Sequence, residues 1–313
     1  MGGIAYLFGG PGQAEPGMGR DLYNKNPLVR ESVDKADKLL TELGGVRPTK
    51  ACFAGDAALI RRPSVAGPAV LALAHGTVRA LKARRLQPHY AGAFGWGELV
   101  ALGALGQLDY ETALCLLYER GKAVEAAWAA DPWYALAVQG LPSEALEARL
   151  GGLPQPPLWS ARLSPDHFVL GGGERLLGAL HGLLSKAGRG VKLSEVEPGW
   201  HWPHPALAPA DEAAAAALAG ASMEAVGLAV QPALEHPPLR QAREWPAYLR
   251  ARGAAPLDWG AACRGLKALG MDTAVEIGHG QWLGAALHRI DTGIRVLATG
   301  DNAAFAQAVK LAN

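Results

Sequence analysis

The chain has 313 residues, half of them hydrophobic, and a formal net charge of +1. That length is enough for one large domain, or for one domain carrying a smaller inserted one. The near-neutral balance gives no electrostatic footprint for nucleic acid or an anionic membrane, and no apolar run reaches the roughly 18 residues that a membrane span needs.

Three cysteines, Cys52, Cys115 and Cys263, are scattered and lack metal-ligand spacing. They fit reduced, buried thiols in a cytoplasmic protein. The N-terminus, Met1 to Phe8, has neither a basic n-region nor a long apolar stretch, so it reads as a short buried strand and not a signal peptide.

Short apolar runs alternate with longer helical patterns. Ile4–Phe8 is a strand, followed by a Gly/Pro-rich loop from Gly9 to Gly19. Leu22–Leu43 reads as a broken helix and Ala66–Arg84 as a strong one. Its basic end, Lys82, Arg84 and Arg85, is a solvated helix face or a meeting point for an acidic partner. His89–Phe94 is a strand and Gly97–Ala104 begins a helix. Asp109 caps the next, Tyr110–Trp128. There Ala113, Leu117, Arg120 and Val124 fall on one row, so Arg120 interrupts an apolar stripe. A guanidinium in that place needs a partner or an anionic ligand. This strand-then-helix rhythm predicts an α/β fold with a mostly parallel sheet.

The texture changes near Asp131. Tyr134–Val138, Leu158–Ala161, His167–Gly171 and Val191–Val196 read as strands, with helices at Ser143–Leu150 and Glu174–Ala187. The β-α-β-β-α-β order is the ferredoxin-like unit. It predicts a small subdomain over 131–197 inserted into a large domain made of 1–130 and 198–313. Pro-punctuated residues lead from Pro198 to Pro209. The Ala-rich run Ala210–Ala221 is a good helix former and is given no functional weight. Val275–Ile277 is a late strand, Gly278-His279-Gly280 a tight turn, and Arg295–Ala298 a last short strand.

The most informative segment is Gly92-Ala93-Phe94-Gly95-Trp96-Gly97-Glu98-Leu99. A strand feeds a helix through a turn crowded with small residues, which is the frame of a nucleophile elbow. The helix N-terminus behind the tip favours a developing anion. The tip, however, is Gly95, which has no side chain to attack a thioester. Any strand–Gly–helix turn shares this frame, so the segment alone leaves both possibilities open.

This stretch resembles the elbow of the malonyl-CoA:acyl-carrier-protein transacylases, whose pattern Gly-His-Ser-Leu-Gly-Glu falls without a gap on Ala93-Phe94-Gly95-Trp96-Gly97-Glu98. The resemblance extends along the chain: Gly17 to Tyr23 in the N-terminal loop, Tyr118-Glu119-Arg120-Gly121, and Leu163-Ser164-Pro165. Val169 to Gly172, Pro256-Leu257-Asp258-Trp259 and Glu276 to Gly280 complete it. The resemblance implies an α/β-hydrolase-like large domain with a parallel sheet plus a small ferredoxin-like subdomain. It also implies ping-pong acyl transfer between CoA and a carrier protein through a serine activated by histidine. No cofactor is implied.

Residue by residue, Arg120 matches the arginine that grips the malonyl carboxylate, and His201 matches the catalytic histidine, with His204 its rival. A metal site at His201 and His204 lacks further ligands. Trp96, Gly97, Pro11 and Gln13 fall at the substrate pocket. The departures cluster there too: Gly95 replaces the nucleophile, Phe94 a histidine, Pro11 and Gly67 two glutamines, and Leu163 an asparagine. Three functions follow from the resemblance. One is a silent homologue that binds acyl-CoA, a carrier protein or a synthase partner in fatty-acid or polyketide synthesis. Another is a thioester hydrolase or direct transferase using His201. The third is an ordinary transacylase with its serine elsewhere, at Ser64, Ser160 or Ser164.

Overall fold

The structure is a computed structural model. It describes residues 2–153, 155–188, 190–196, 202–224, 227–253, 255–291 and 293–312. Ten strands run through the described residues in chain order: β1 (Gly3–Phe8), β2 (Tyr90–Ala93), β3 (Tyr134–Gln139), β4 (Leu158–Ser164), β5 (His167–Gly172), β6 (Lys192–Val196), β7 (Ala229–Pro232), β8 (Leu257–Asp258), β9 (Met271–Ile277) and β10 (Arg295–Ala298).

They form two sheets. The first has the order β10-β9-β1-β2-β7 and every pairing in it is parallel. Its central strands are buried on both faces: Ala5 to Phe8 and Ala274 to Ile277 are within the core. Phe8 stands level with both Ala93 and Ile277, so three strands end on one line. The loops that follow them gather beyond that line, at the carboxyl edge where open α/β sheets hold ligands.

The second sheet has the order β6-β3-β5-β4-β8, antiparallel except for β4 with β8. Its β-α-β-β-α-β order matches the ferredoxin-like pattern expected from sequence, with helices Ser143–Leu150 and Glu174–Leu184 between the strands. β8 arrives from outside residues 131–197 and pairs Ala161 with Leu257. The Asp258 N–H donates to the Ala233 carbonyl just past β7 at 2.7 Å. Leu257 is thereby held between the two sheets. One hydrophobic cluster spans the junction, with Phe94 and Leu257 packed among Leu163 and Val169.

Helix Pro63–Ala83 is the spine of the larger core, buried along most of its length. It starts three residues before the expected Ala66 because Pro63 occupies the first helical position, where a missing N–H costs nothing. The expected break in Leu22–Leu43 lies at Asn26. Its extended backbone separates helix Arg20–Lys25 from helix Pro27–Glu42, and its side chain accepts the N–H groups of Leu28 and Val29. Cys52 and Cys263 are free and buried. Among the described residues, no helix is long and apolar enough to cross a membrane.

Candidate active site

β2 ends at Ala93, Phe94 donates its N–H to the Phe8 carbonyl at 3.0 Å, and Gly97 begins helix Gly97–Leu105. The turn closes with Gly97 N–H to Phe94 O at 3.0 Å and Glu98 N–H to Gly95 O at 3.1 Å. Gly95 sits at the tip with φ +58°, a left-handed conformation that side chains other than glycine adopt under strain. The elbow geometry is thus present. A Cβ at Gly97 would lie 2.3 Å from the Phe8 carbonyl oxygen, so only glycine lets the helix start against β1. A Cβ at Gly95 would meet a single atom within 4 Å, Leu257 Cδ1 at 3.2 Å. The tip therefore has room that no side chain uses.

That room opens into a cavity of about 370 Å³ between the two sheets. Gly95, Phe94, Trp96 and Pro11 line it, together with Leu163, Leu257 and Trp282. The Phe94 ring, at the position where the resembled pattern has a histidine, packs edge-on against Trp282 at 4.9 Å and Trp259 at 6.0 Å. It joins the apolar wall and leaves the cavity open. The loop bearing Pro11 packs onto the elbow: a Cβ at Gly10 would be 3.2 Å from the Gly97 nitrogen. Pro11 has no N–H to offer there.

Gln13 is buried and its Nε2 donates to Glu276 Oε1 at 3.1 Å. Glu276 also accepts the N–H groups of Leu283 and Gly284, and burial raises its pKa. Gln13 therefore ties the first loop to the end of β9. At Gly67 a Cβ would press on Leu117 at 3.3 Å, so that position is taken up by helix packing.

Arg120 lies behind the elbow and is 8% exposed. The structure supplies its partner within the chain. Asp211 Oδ1 accepts from Nε at 3.2 Å and from Nη2 at 3.0 Å. The guanidinium also stacks on Trp96, with Cζ 3.3 Å from the ring centre. Burial pulls the Arg120 pKa below its usual value, while Asp211 pulls it back up. Arginine remains charged at neutral pH. Arg252 approaches the same ring at 4.8 Å and pairs with the buried Glu98 at 3.6 Å. Tyr248 donates to Glu98 at 2.5 Å. Burial pushes Glu98 up to about 7, against the pull of Arg252 and Tyr248.

Asp211 comes from an unremarkable part of the sequence. It lies in the first turn of helix Ala208–Gly220, the Ala-rich run to which no functional weight was assigned. The pair Asp211-Glu212 opening an alanine run was the available signal. Helix Glu244–Arg252 also escaped notice. Its buried Trp245, Tyr248, Leu249 and Arg252 have i, i+3, i+4, i+7 spacing.

His201 lies outside the described residues. His204 stacks on Trp133 with ring centres 4.5 Å apart, and its Nδ1 accepts the Ala206 N–H at 3.2 Å. It caps the turn Pro205–Leu207 and is not among the described residues lining the cavity. Ser64 is bound to Glu125, and Ser164 to Asp166 at 2.8 Å, and neither stands at the elbow. Ser160 is buried in β4. Among the described residues, no group of three or more side chains could hold a metal ion.

The acyl transferase domain family matches the chain over residues 5–284. The chain belongs to that family. It is 31% identical over 148 residues to the malonyl CoA-acyl carrier protein transacylase of Bacillus subtilis, a match covering 47% of this chain and 45% of that protein. The matched stretch is thus less than half the length of that relative. Among solved structures, the malonyl transacylase of Streptococcus pneumoniae superposes with a TM-score of 0.84 at 25% identity, over 98% of this chain and 99% of that one. A malonyl-transacylase solved in complex with its type II polyketide acyl-carrier protein superposes with a TM-score of 0.86 over 99% of each chain. At 21% identity, that likeness concerns the fold alone.

Proposed function

We propose that this acyl transferase domain binds an acyl group carried on pantetheine and does not pass it through an acyl-enzyme. The carrier is coenzyme A or an acyl carrier protein. One observation carries this: the elbow tip is Gly95, at φ +58° and open to the cavity, with no atom that could attack a thioester. Family membership and the resemblance to malonyl transacylases support the ligand class. The carrier-protein complex of a structural relative supports the partner. The ligand lies between a large part, 1–130 with 198–313, and a small part, 131–197. The setting is fatty-acid or polyketide synthesis, with a synthase partner.

To test this, the protein is incubated with labelled malonyl-CoA and a holo carrier protein, and intact mass is followed. No covalent adduct and no catalysed transfer are expected. Rapid, saturable transfer would overturn the proposal. Gly95→Ser, whose Cβ faces only Leu257, asks whether the scaffold supports acylation once a hydroxyl is present. A second function is favoured by the free space above Gly95: a water there, activated by His201, would cleave the thioester to a free acid and a thiol. His201→Ala leaving thioester turnover intact would remove that version.

A further inference from the structure

Two voids meet at Gly95 and Trp96 and differ in what they can hold. The first runs toward Arg120 and Asp211 and retains only about 10 Å³, at the lower limit for one water molecule. Trp96, 7% exposed, fills this route and stacks on the guanidinium. The second runs toward the mixed sheet and has about 370 Å³, within the range of small-ligand pockets. Its apolar lining includes Phe94, Leu163, Val169 and Leu257, the last 3.2 Å from where a Gly95 Cβ would lie. Gln139, His167 and Ser194 supply polar groups suited to the amides of a pantetheine arm.

We propose that the site takes uncharged, apolar acyl groups and turns away malonyl and other carboxylated ones. This rests on the pantetheine-thioester function proposed above. Arg120 is the cation that would hold an acyl carboxylate, but Asp211 already accepts two of its N–H groups. An incoming carboxylate would have to displace Asp211 or lie beside it in a dry site, where unpaired charge is costly. Trp96 bars the way in either case. An apolar chain entering the larger void displaces water from aromatic and aliphatic walls, which favours it without any ion pair.

The test is titration calorimetry of the full chain with CoA, hexanoyl-CoA and malonyl-CoA. Hexanoyl-CoA is expected to bind about tenfold or more tighter than CoA, from burial of its methylenes, and malonyl-CoA no tighter than CoA. The double variant Trp96→Leu/Asp211→Asn frees Arg120 and is expected to raise malonyl-CoA affinity about tenfold. Trp96→Leu alone is the fallback if the double variant misfolds, with a smaller gain expected. Malonyl-CoA binding tighter than CoA in the wild type, and lost in Arg120→Leu, would overturn the proposal. So would a folded variant with no gain for malonyl-CoA. CoA binding with no preference for hexanoyl-CoA would overturn it and leave the pantetheine function standing. No binding of any of the three would sink both.

Discussion

Asp211→Ala leaves the buried Arg120 guanidinium with no hydrogen-bonded carboxylate, only the more distant pull of Glu98. Arg120 and Asp211 have side chains 7% and 6% exposed and share two hydrogen bonds. Removing one partner of such a pair costs about 3–5 kcal/mol, because the remaining charge is both desolvated and uncompensated. Two smaller effects act beside it. Asp211 sits in the first turn of helix Ala208–Gly220, where the helix dipole is worth about 0.3–1 kcal/mol to an acid. The second, the Trp96 ring stacked on Arg120, is present in wild type and variant alike and leaves the difference unchanged. The pair still dominates, so a net loss of about 3 kcal/mol is expected in urea unfolding. Arg120→Met/Asp211→Leu removes both charges and fills the space, and should recover most of that loss. The cycle of singles and double then gives a coupling above about 1 kcal/mol. A single-variant loss below about 1 kcal/mol is what the helix dipole alone would give, and would refute an Arg120 held by Asp211.

Two other perturbations test the frame and the core. Gly97→Ala puts a Cβ 2.3 Å from the Phe8 carbonyl oxygen and 2.9 Å from the Gly9 carbonyl carbon, both backbone. It should cost about 3 kcal/mol or more in thermal unfolding. Gly182→Ala, with nothing within 4 Å of its Cβ, should instead stabilise helix Glu174–Leu184 by about 0.5–1 kcal/mol. His75 stacks on Tyr110 at 3.9 Å and bonds Ser32 at 3.1 Å, and burial lowers its pKa to about 4. A histidine lowered in the fold adds stability above its unfolded value of about 6.5 and loses it as pH falls toward 4. The resulting acid loss is about 3 kcal/mol, visible as a falling urea midpoint between those pH values and absent in His75→Phe.

The parts of the fold set by local pattern were legible. Apolar runs punctuated by glycine marked β1, β2 and β9, and the change of texture at Asp131 marked the ferredoxin-like order. The elbow was legible because its demands are local: small residues where a helix meets a strand, and a tip that tolerates φ +58°. What escaped was set by tertiary contact. Arg120 visibly needed a partner, yet Asp211 lies 91 residues away in a run that looked featureless. β8 is two residues long, too short for a periodic signal, and it gains its strand character only by pairing with β4. The effect of the bulky Phe94 and Trp96 is likewise set by tertiary contact. The structure divides their effects: Phe94 leans into a wall, while Trp96 takes up the space before Arg120.

Under the proposed function, that division gives Gly95, Trp96, Asp211 and Pro11 a common physical sense. With that function no carboxylate has to be placed at a fixed distance from a nucleophile, and an open Arg120 would have no use. A bare guanidinium in that pocket would still carry a desolvation penalty. Asp211 and Trp96 answer that penalty from inside the chain, one with charge and one with a π face. Pro11 offers no backbone N–H beside the elbow, which costs little under a function that forms no oxyanion. Gly97 serves the strand–helix crossing and Glu98 holds Tyr248 and Arg252. These tasks belong to the fold and persist whether or not Gly95 is ever asked to do chemistry.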